Sequence, residues 1–130
     1  MLGANIKFFA CDVTSPSAVY STAEKIKATL GAPSILINNA GILSSHTILT
    51  TPDEYLRKIF DVNVLSSWYT TKAFLPDMLR ENKGHVVTVA SVASFLGVAG
   101  MADYTATKAA ILSFHEGTSA YSSLSLHIWC

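Results

Sequence analysis

The sequence is short of several things, and each shortage excludes a class of protein. Only 14% of its residues are charged, and nine Lys and Arg balance nine Asp and Glu. The basic residues are scattered, so there is no stripe of positive charge for nucleic acid to follow. The two cysteines, Cys11 and Cys130, lie far apart and without CxxC spacing. That excludes a disulfide framework and a thiolate zinc site, and makes a reducing compartment the default. The four histidines, His46, His85, His115 and His127, show no metal-ligand spacing and read as surface or core residues. The longest uncharged run, residues 86–102, falls short of a membrane span and is broken by Ser, Thr and Gly. The opening "MLGANIKFFA" has neither the apolar centre nor the cleavage site of a signal peptide. Cytoplasm is the default location.

What is present is hydrophobic: half of the 130 residues, enough for one globular domain with a core. Three apolar runs read as strands: "IKFFA" (residues 6–10), "SILIN" (34–38) and "HVVTVA" (85–90). They are rich in β-branched and aromatic residues and do not alternate strictly. That predicts strands covered on both faces, as in a parallel sheet. Helical patterns separate them. "SPSAVYSTAEKIKATLG" starts with Ser15 as N-cap and Pro16 at the first helical position, and ends on Gly31. Residues 51–82 start with Thr51, Pro52 and Glu54, which predict a capping box. A break is expected at residues 61–63 and a kink at Pro76. Along this helix Trp68, Tyr69 and Phe74 are spaced for one face, read as a core or dimer contact. A last helix runs from near Ala102 through "YTATKAAILSFHE". Gly117 then interrupts it, and "GTSAYSSLSLHIWC" is expected to add no strand.

Strands alternating with helices argue for βαβ units and a doubly wound sheet. Right-handed crossovers put the C-terminal strand ends along one edge, where such folds bind ligands. Asp12, Asn38, Asn39 and Ser91 sit at that edge. Tyr104 and Lys108, four apart, share a helix face one turn from each other. Singly, each has a structural alternative. Tyr104 and Lys108 can be an ordinary helical pair, Asn63 a helix cap, and Ser91 a turn residue with Ser94 as its double. Asp12 can be an N-cap or Asx-turn residue, and Asn38 reads as structural.

Taken together, "CDV", "NNAG" and "VAS" after strands and "YTATK" on a helix resemble the short-chain dehydrogenase/reductase family over residues 6–116. "VTVASVAS", "DYTATKAA" and "SFHEG" are similar to its retinol and 17β-hydroxysteroid dehydrogenase branch, including fungal relatives. The resemblance implies a Rossmann-type fold and hydride transfer between NAD or NADP, with NADP favoured, and a carbonyl or alcohol carbon. It implies Tyr104 as the acid/base and Lys108 as its partner, lowering the tyrosine pKa and holding the nicotinamide ribose. A free tyrosine titrates near pH 10, so it needs such help near neutrality. Ser91 matches the serine that hydrogen-bonds the carbonyl oxygen. Asn63 matches the asparagine that kinks the long helix and orders a relay water. Asp12, with Val13 beside it, matches the acid on the adenine amino group, and Asn39, Ala40 and Gly41 match the segment lining the cofactor ribose. The implied substrate is an apolar alcohol or ketone such as a retinoid, steroid or fatty alcohol.

The resemblance also implies gaps. No TGxxxGxG-like phosphate loop occurs, nor the residue that selects NAD over NADP. The chain reads as N- and C-terminally truncated: a partial NAD(P)-binding domain over 1–116 and an atypical tail over 117–130. The doubly wound sheet is expected to be incomplete and the cofactor site half built. A full-length parent would sit on the endoplasmic reticulum or lipid droplets through segments outside this sequence. The rival expectation is a non-catalytic chain. It would act by pairing, as homodimer or homotetramer, through the helices carrying Asn63 and Tyr104.

Overall fold

The computed structural model of the chain describes residues 6–119 and 125–129. In order these form α1 (Pro16–Leu30), β1 (Ile35–Asn38), α2 (Asp53–Phe60), a π-helical turn (Asp61–Leu65) and α3 (Ser66–Glu81). Then come β2 (His85–Val89), a 3-10 turn (Val92–Ser94), α4 (Ala102–Ser119) and β3 (Ser125–Trp129). β2 lies at the centre of the sheet, parallel to β1 on one side and to β3 on the other. Parallel neighbours need a crossover between them. The α2–α3 segment supplies one and α4 the other. All three strands therefore end on the same edge.

Helix ends follow local chemistry where it is free to act. Ser15 is extended and its hydroxyl accepts the Ala18 N–H at 3.4 Å, with Pro16 opening α1. Gly31 closes α1 at φ +83°, a conformation glycine adopts without strain, and its N–H returns to the Lys27 carbonyl at 2.9 Å. The capping box at α2 does not form. The Thr51 hydroxyl instead donates to the Thr47 carbonyl at 2.8 Å, and Pro52 takes the N-cap position with no side-chain bond. The break foreseen at residues 61–63 is the π turn, and α3 runs through Pro76 to a left-handed Asn82. On α3, Asp77 is paired with Lys27 of α1 at 2.9 Å and with Arg80. Lys27, then Arg80, hold the Asp77 carboxyl below its ordinary pKa, and Asp77 raises that of Lys27.

The register sorts the sheet into two unlike faces. Leu36 pairs with Val86 and Asn38 with Thr88, and this face turns toward the helices. Met78 of α3 packs on Val86 together with Leu36 and Leu75, while His115 of α4 meets Thr88 at 2.8 Å. On the other face Ile35 and Ile37 are 56% and 61% exposed, and Val87 and Val89 are half-buried. The expectation of strands covered on both faces is thus corrected. α3 and α4 both lie on one side, and no described element covers the other.

Two further readings are corrected. Residues 6–10 are irregular rather than a strand, with Phe8 93% exposed. No described strand runs beside them, so their backbone N–H and C=O groups have no ladder to join. At the other end, α4 continues through Gly117 to Ser119 and a strand does follow. β3 pairs with β2 from Ser125 opposite His85 to Trp129 opposite Val89. An unpaired strand edge is a template for such a segment. Among the described residues, no helix is long and apolar enough to cross a membrane.

Candidate active site

The site grows from the strand ends. Asn38 closes β1 buried: its side-chain amide donates to the Thr71 hydroxyl at 3.1 Å and its oxygen accepts from Thr70 at 2.7 Å. It braces strand to helix, as its structural reading expected. Asn39, Ala40 and Gly41 follow as exposed backbone over the sheet edge. A methyl group on Gly41 would stand 3.6 Å from Asn63 Oδ1 and 3.9 Å from Lys108 Nζ. The loop therefore passes close to both.

Asn63 is held in the π turn, whose wider winding changes the direction of the side chains it carries. It is buried, and its side-chain groups are matched on three sides. Oδ1 accepts the Ile42 N–H at 2.7 Å, and Nδ2 donates to the Ile42 carbonyl at 2.9 Å and to Thr107 Oγ1 at 3.0 Å. The Thr107 hydroxyl in turn donates to the Tyr104 carbonyl at 2.7 Å. One asparagine thus joins the loop after β1 to the helix bearing Tyr104.

Ser91 follows β2 and caps the 3-10 turn, accepting the Ala93 N–H at 3.1 Å. A hydroxyl that accepts still has its own hydrogen to donate. Beyond it, Ser94 donates to the Lys108 carbonyl at 2.9 Å, seating the turn on α4. Tyr104 is half-buried. Lys108 is only 6% exposed, and its ammonium donates to the Val89 carbonyl at 2.9 Å. The same nitrogen lies 5.7 Å from the centre of the Tyr104 ring. Burial draws the Lys108 pKa below the ordinary lysine value. One carbonyl uses one of three ammonium donors, so the group can hold a ligand oxygen as well.

Asp12 and Val13 stand differently. The Asp12 carboxylate accepts the Thr14 hydroxyl at 2.7 Å and the Thr14 N–H at 2.9 Å, and these bonds lower its pKa. This is the Asx-turn alternative open at the sequence level. Among the described residues, none of the hydrogen bonds linking Asn63, Tyr104 and Lys108 reaches Asp12 or Val13. Sequence reasoning missed Thr107, although its place three residues after Tyr104 inside "YTATK" was a usable signal. It also missed Ser44 and Asp103, whose hydroxyl–carboxylate bond of 2.5 Å joins residues 59 apart. No local pattern marks that pair.

A family model described as short chain dehydrogenase matches residues 1–122. The chain is 42% identical over 115 residues to Dehydrogenase RED3 of Cochliobolus heterostrophus, covering 88% of this chain and 59% of that protein. It is 44% identical over 115 residues to human estradiol 17-beta-dehydrogenase 11, covering 88% of this chain and 38% of that one. Against human retinol dehydrogenase 10 the identity is 45% over 111 residues, 85% of this chain and 33% of that one. The chain thus spans between one third and three fifths of the length of these relatives. Among solved structures it resembles a gluconate 5-dehydrogenase from Burkholderia cenocepacia J2315 in complex with NADP and tartrate. There the TM-score is 0.84 at 26% identity, over 88% of this chain and 46% of that one.

Proposed function

This chain belongs to the short-chain dehydrogenase family, and from that premise we propose that it serves NAD(P)-dependent hydride transfer between a nicotinamide and a carbonyl or alcohol carbon. The observation that carries the reading is the buried Lys108 ammonium, held 2.9 Å from the Val89 carbonyl and 5.7 Å from the Tyr104 ring centre. In this reading Tyr104 gives its phenolic proton to the substrate oxygen in reduction and takes one back in oxidation. Lys108 steadies the phenolate form by its charge, and Ser91 donates its free hydrogen to the same oxygen. Asn63 keeps the Ile42 loop and α4 in register while this happens.

The residues present fit a nicotinamide riboside. Gly41 leaves exposed backbone beside the Lys108 ammonium, where a methyl group would touch Asn63 and Lys108 at ordinary contact distance. Asn39, Ala40 and Gly41 would line the ribose, Lys108 would hold its hydroxyls, and Asp12 with Val13 would meet the adenine. The bound nicotinamide would supply the hydride donor or acceptor. The NADP in the gluconate 5-dehydrogenase structure supports a nicotinamide cofactor, with NADP preferred to NAD by analogy alone. The substrate is an apolar alcohol or ketone of the retinoid, steroid or fatty-alcohol kind. Support comes from the names of the two human relatives and from Val92, Phe95 and Leu96, exposed just beyond Ser91.

A second reading has its own observation. An apolar groove of about 800 Å³ lies between α3 and α4, lined by Val64, Trp68, Leu75 and Phe114 among others. The Trp68 and Phe114 rings sit 5.0 Å apart in it. A chain that pairs through α3 and α4, as homodimer or homotetramer, and does no chemistry would use this face. Fluorescence titration with NADH and with NADPH separates the two. Hydride transfer predicts saturable binding, weakened about tenfold by Lys108→Ala and kept by Tyr104→Phe, which would lose turnover of apolar alcohols. A folded chain that binds neither nucleotide would refute the cofactor site and leave the pairing face.

A further inference from the structure

Tyr104 is held by more than its own helix. Its carbonyl accepts from the Thr107 hydroxyl, which accepts from Asn63, which grips Ile42 through both its N–H and its carbonyl. Its N–H donates to Asp103 Oδ1 at 2.8 Å. That same oxygen accepts the Ser44 hydroxyl at 2.5 Å. Both backbone groups of Tyr104 therefore lead, by separate routes, to one short loop. One route ends at Ile42 and the other at Ser44.

The second route has a feature that a simple helix cap lacks. Ser44 is 3% and Asp103 7% exposed, and Asp103 Oδ2 is buried with no hydrogen-bond partner among the described residues. A cap can be made by an exposed Ser or Asp without that desolvation. A buried carboxylate with one oxygen unsatisfied is unfavourable for folding. Its placement answers to geometry instead, because one oxygen receives two donors from two different elements.

We propose that Asp103 is a positioning residue that, with Ser44, clips the loop following Gly41 to the N-terminal end of α4. The clip sets how far the segment of Asn39, Ala40 and Gly41 stands from Tyr104. With the Asn63 route it fixes the loop at two points rather than one, so the loop cannot pivot about Ile42. The inference rests on the hydride-transfer reading only for the importance of Tyr104, not for the contact itself.

Amide hydrogen exchange on the ¹⁵N-labelled chain, without cofactor or substrate, tests it. The variants are Ser44→Ala, Asp103→Ala, the double variant, and the conservative Ser44→Thr and Asp103→Asn. Ser44→Ala and Asp103→Ala should each speed exchange about tenfold at Tyr104 and at residues 42–45, and the double variant should go no further. Ser44→Thr keeps the hydroxyl, and Asp103→Asn keeps an oxygen that accepts both donors, so both should restore the slow rates. If Ser44→Ala leaves the Tyr104 amide unchanged, Asp103 is a local cap and the clip does not exist. Faster exchange spread evenly over α4 and the sheet would equally overturn it, as would failure of Asp103→Asn to rescue. If the variants change exchange as expected while the wild-type chain neither binds nicotinamide nucleotide nor turns over an alcohol, hydride transfer fails and the clip stands.

Discussion

Lys108 carries an ammonium group into a site where it is almost wholly buried, and desolvation draws its pKa below the ordinary value of 10.5. The sign of the linkage follows. Below the lowered pKa the lysine is protonated in both folded and unfolded chains, and the fold bears the full cost of burying the charge. Between the lowered pKa and the ordinary one, the unfolded chain binds the extra proton, so stability rises with pH. Above both values the cost is gone. Lys108→Met carries no such group. Urea denaturation of both proteins should therefore show the stability of wild type, relative to Lys108→Met, increasing as pH is raised through that window. A pH-independent difference would mean that the Val89 bond, rather than the charge, dominates the energetics of Lys108. Asn63, equally buried, has no charge to relieve, and its side-chain groups are matched by Ile42 and Thr107.

At the scale of elements, the α3–β2 connection is a tight join. α3 ends on left-handed Asn82, the Lys83 N–H returns to the Met78 carbonyl at 3.0 Å, and Gly84 then leads into β2. A methyl group on Gly84 would lie 2.7–2.8 Å from the Met78 side chain, its Cβ included. Rotation of the Met78 side chain would move its Cγ and Sδ but not its Cβ, which the helix fixes, and Met78 is also the residue packed on Val86. Gly84→Ala should therefore destabilise the chain by about 1–3 kcal/mol, the usual cost of overpacking a well-filled core. Thermal denaturation checks this. An unchanged melting temperature would mean that α3 slides along the sheet to make room. The π turn between α2 and α3 is the other join that matters, since it points Asn63 toward the loop after β1. Its neighbours help: the Ser66 hydroxyl donates to the Val62 carbonyl, a bond that occupies a main-chain acceptor at the turn.

Across the whole molecule the sheet divides the sequence into residues that packing notices and residues it does not. Val86 is buried between the sheet and Met78, whereas Ile37, on the neighbouring strand, faces away from the helices. Val86→Ala should cost about 2 kcal/mol through lost burial and the cavity left behind. Ile37→Thr should change stability by less than about 0.5 kcal/mol, because little apolar contact is lost and threonine suits a strand. Comparing the two denaturation midpoints tests the one-sided sheet directly. A loss of stability for Ile37→Thr as large as for Val86→Ala would mean that something covers the second face. That face also presents Ile35, opposite His85, and Ile37, opposite Val87, as exposed apolar side chains.

The strands at 34–38 and 85–90 and the helices between them were legible because hydrophobic period, caps and turns are properties of neighbouring residues. Ser15, Pro16 and Gly31 act within a few residues of themselves, and so did the reading of α1. The motifs "NNAG" and "YTATK", and with them the family, were legible for the same reason. What the sequence could not decide depends on partners far along the chain. Residues 6–10 have strand composition but no described neighbour to pair with, and "SLHIW" becomes β3 because β2 has a free edge. Thr51 spends its hydroxyl on Thr47, a choice set by the course of the preceding loop. Thr107 and Asn63 meet across 44 residues, and Ser44 and Asp103 across 59. Composition and local spacing determined which residues could do chemistry. Only the tertiary fold decided which of them stand together, because a hydrogen bond needs its partners about 3 Å apart and says nothing of their distance in sequence.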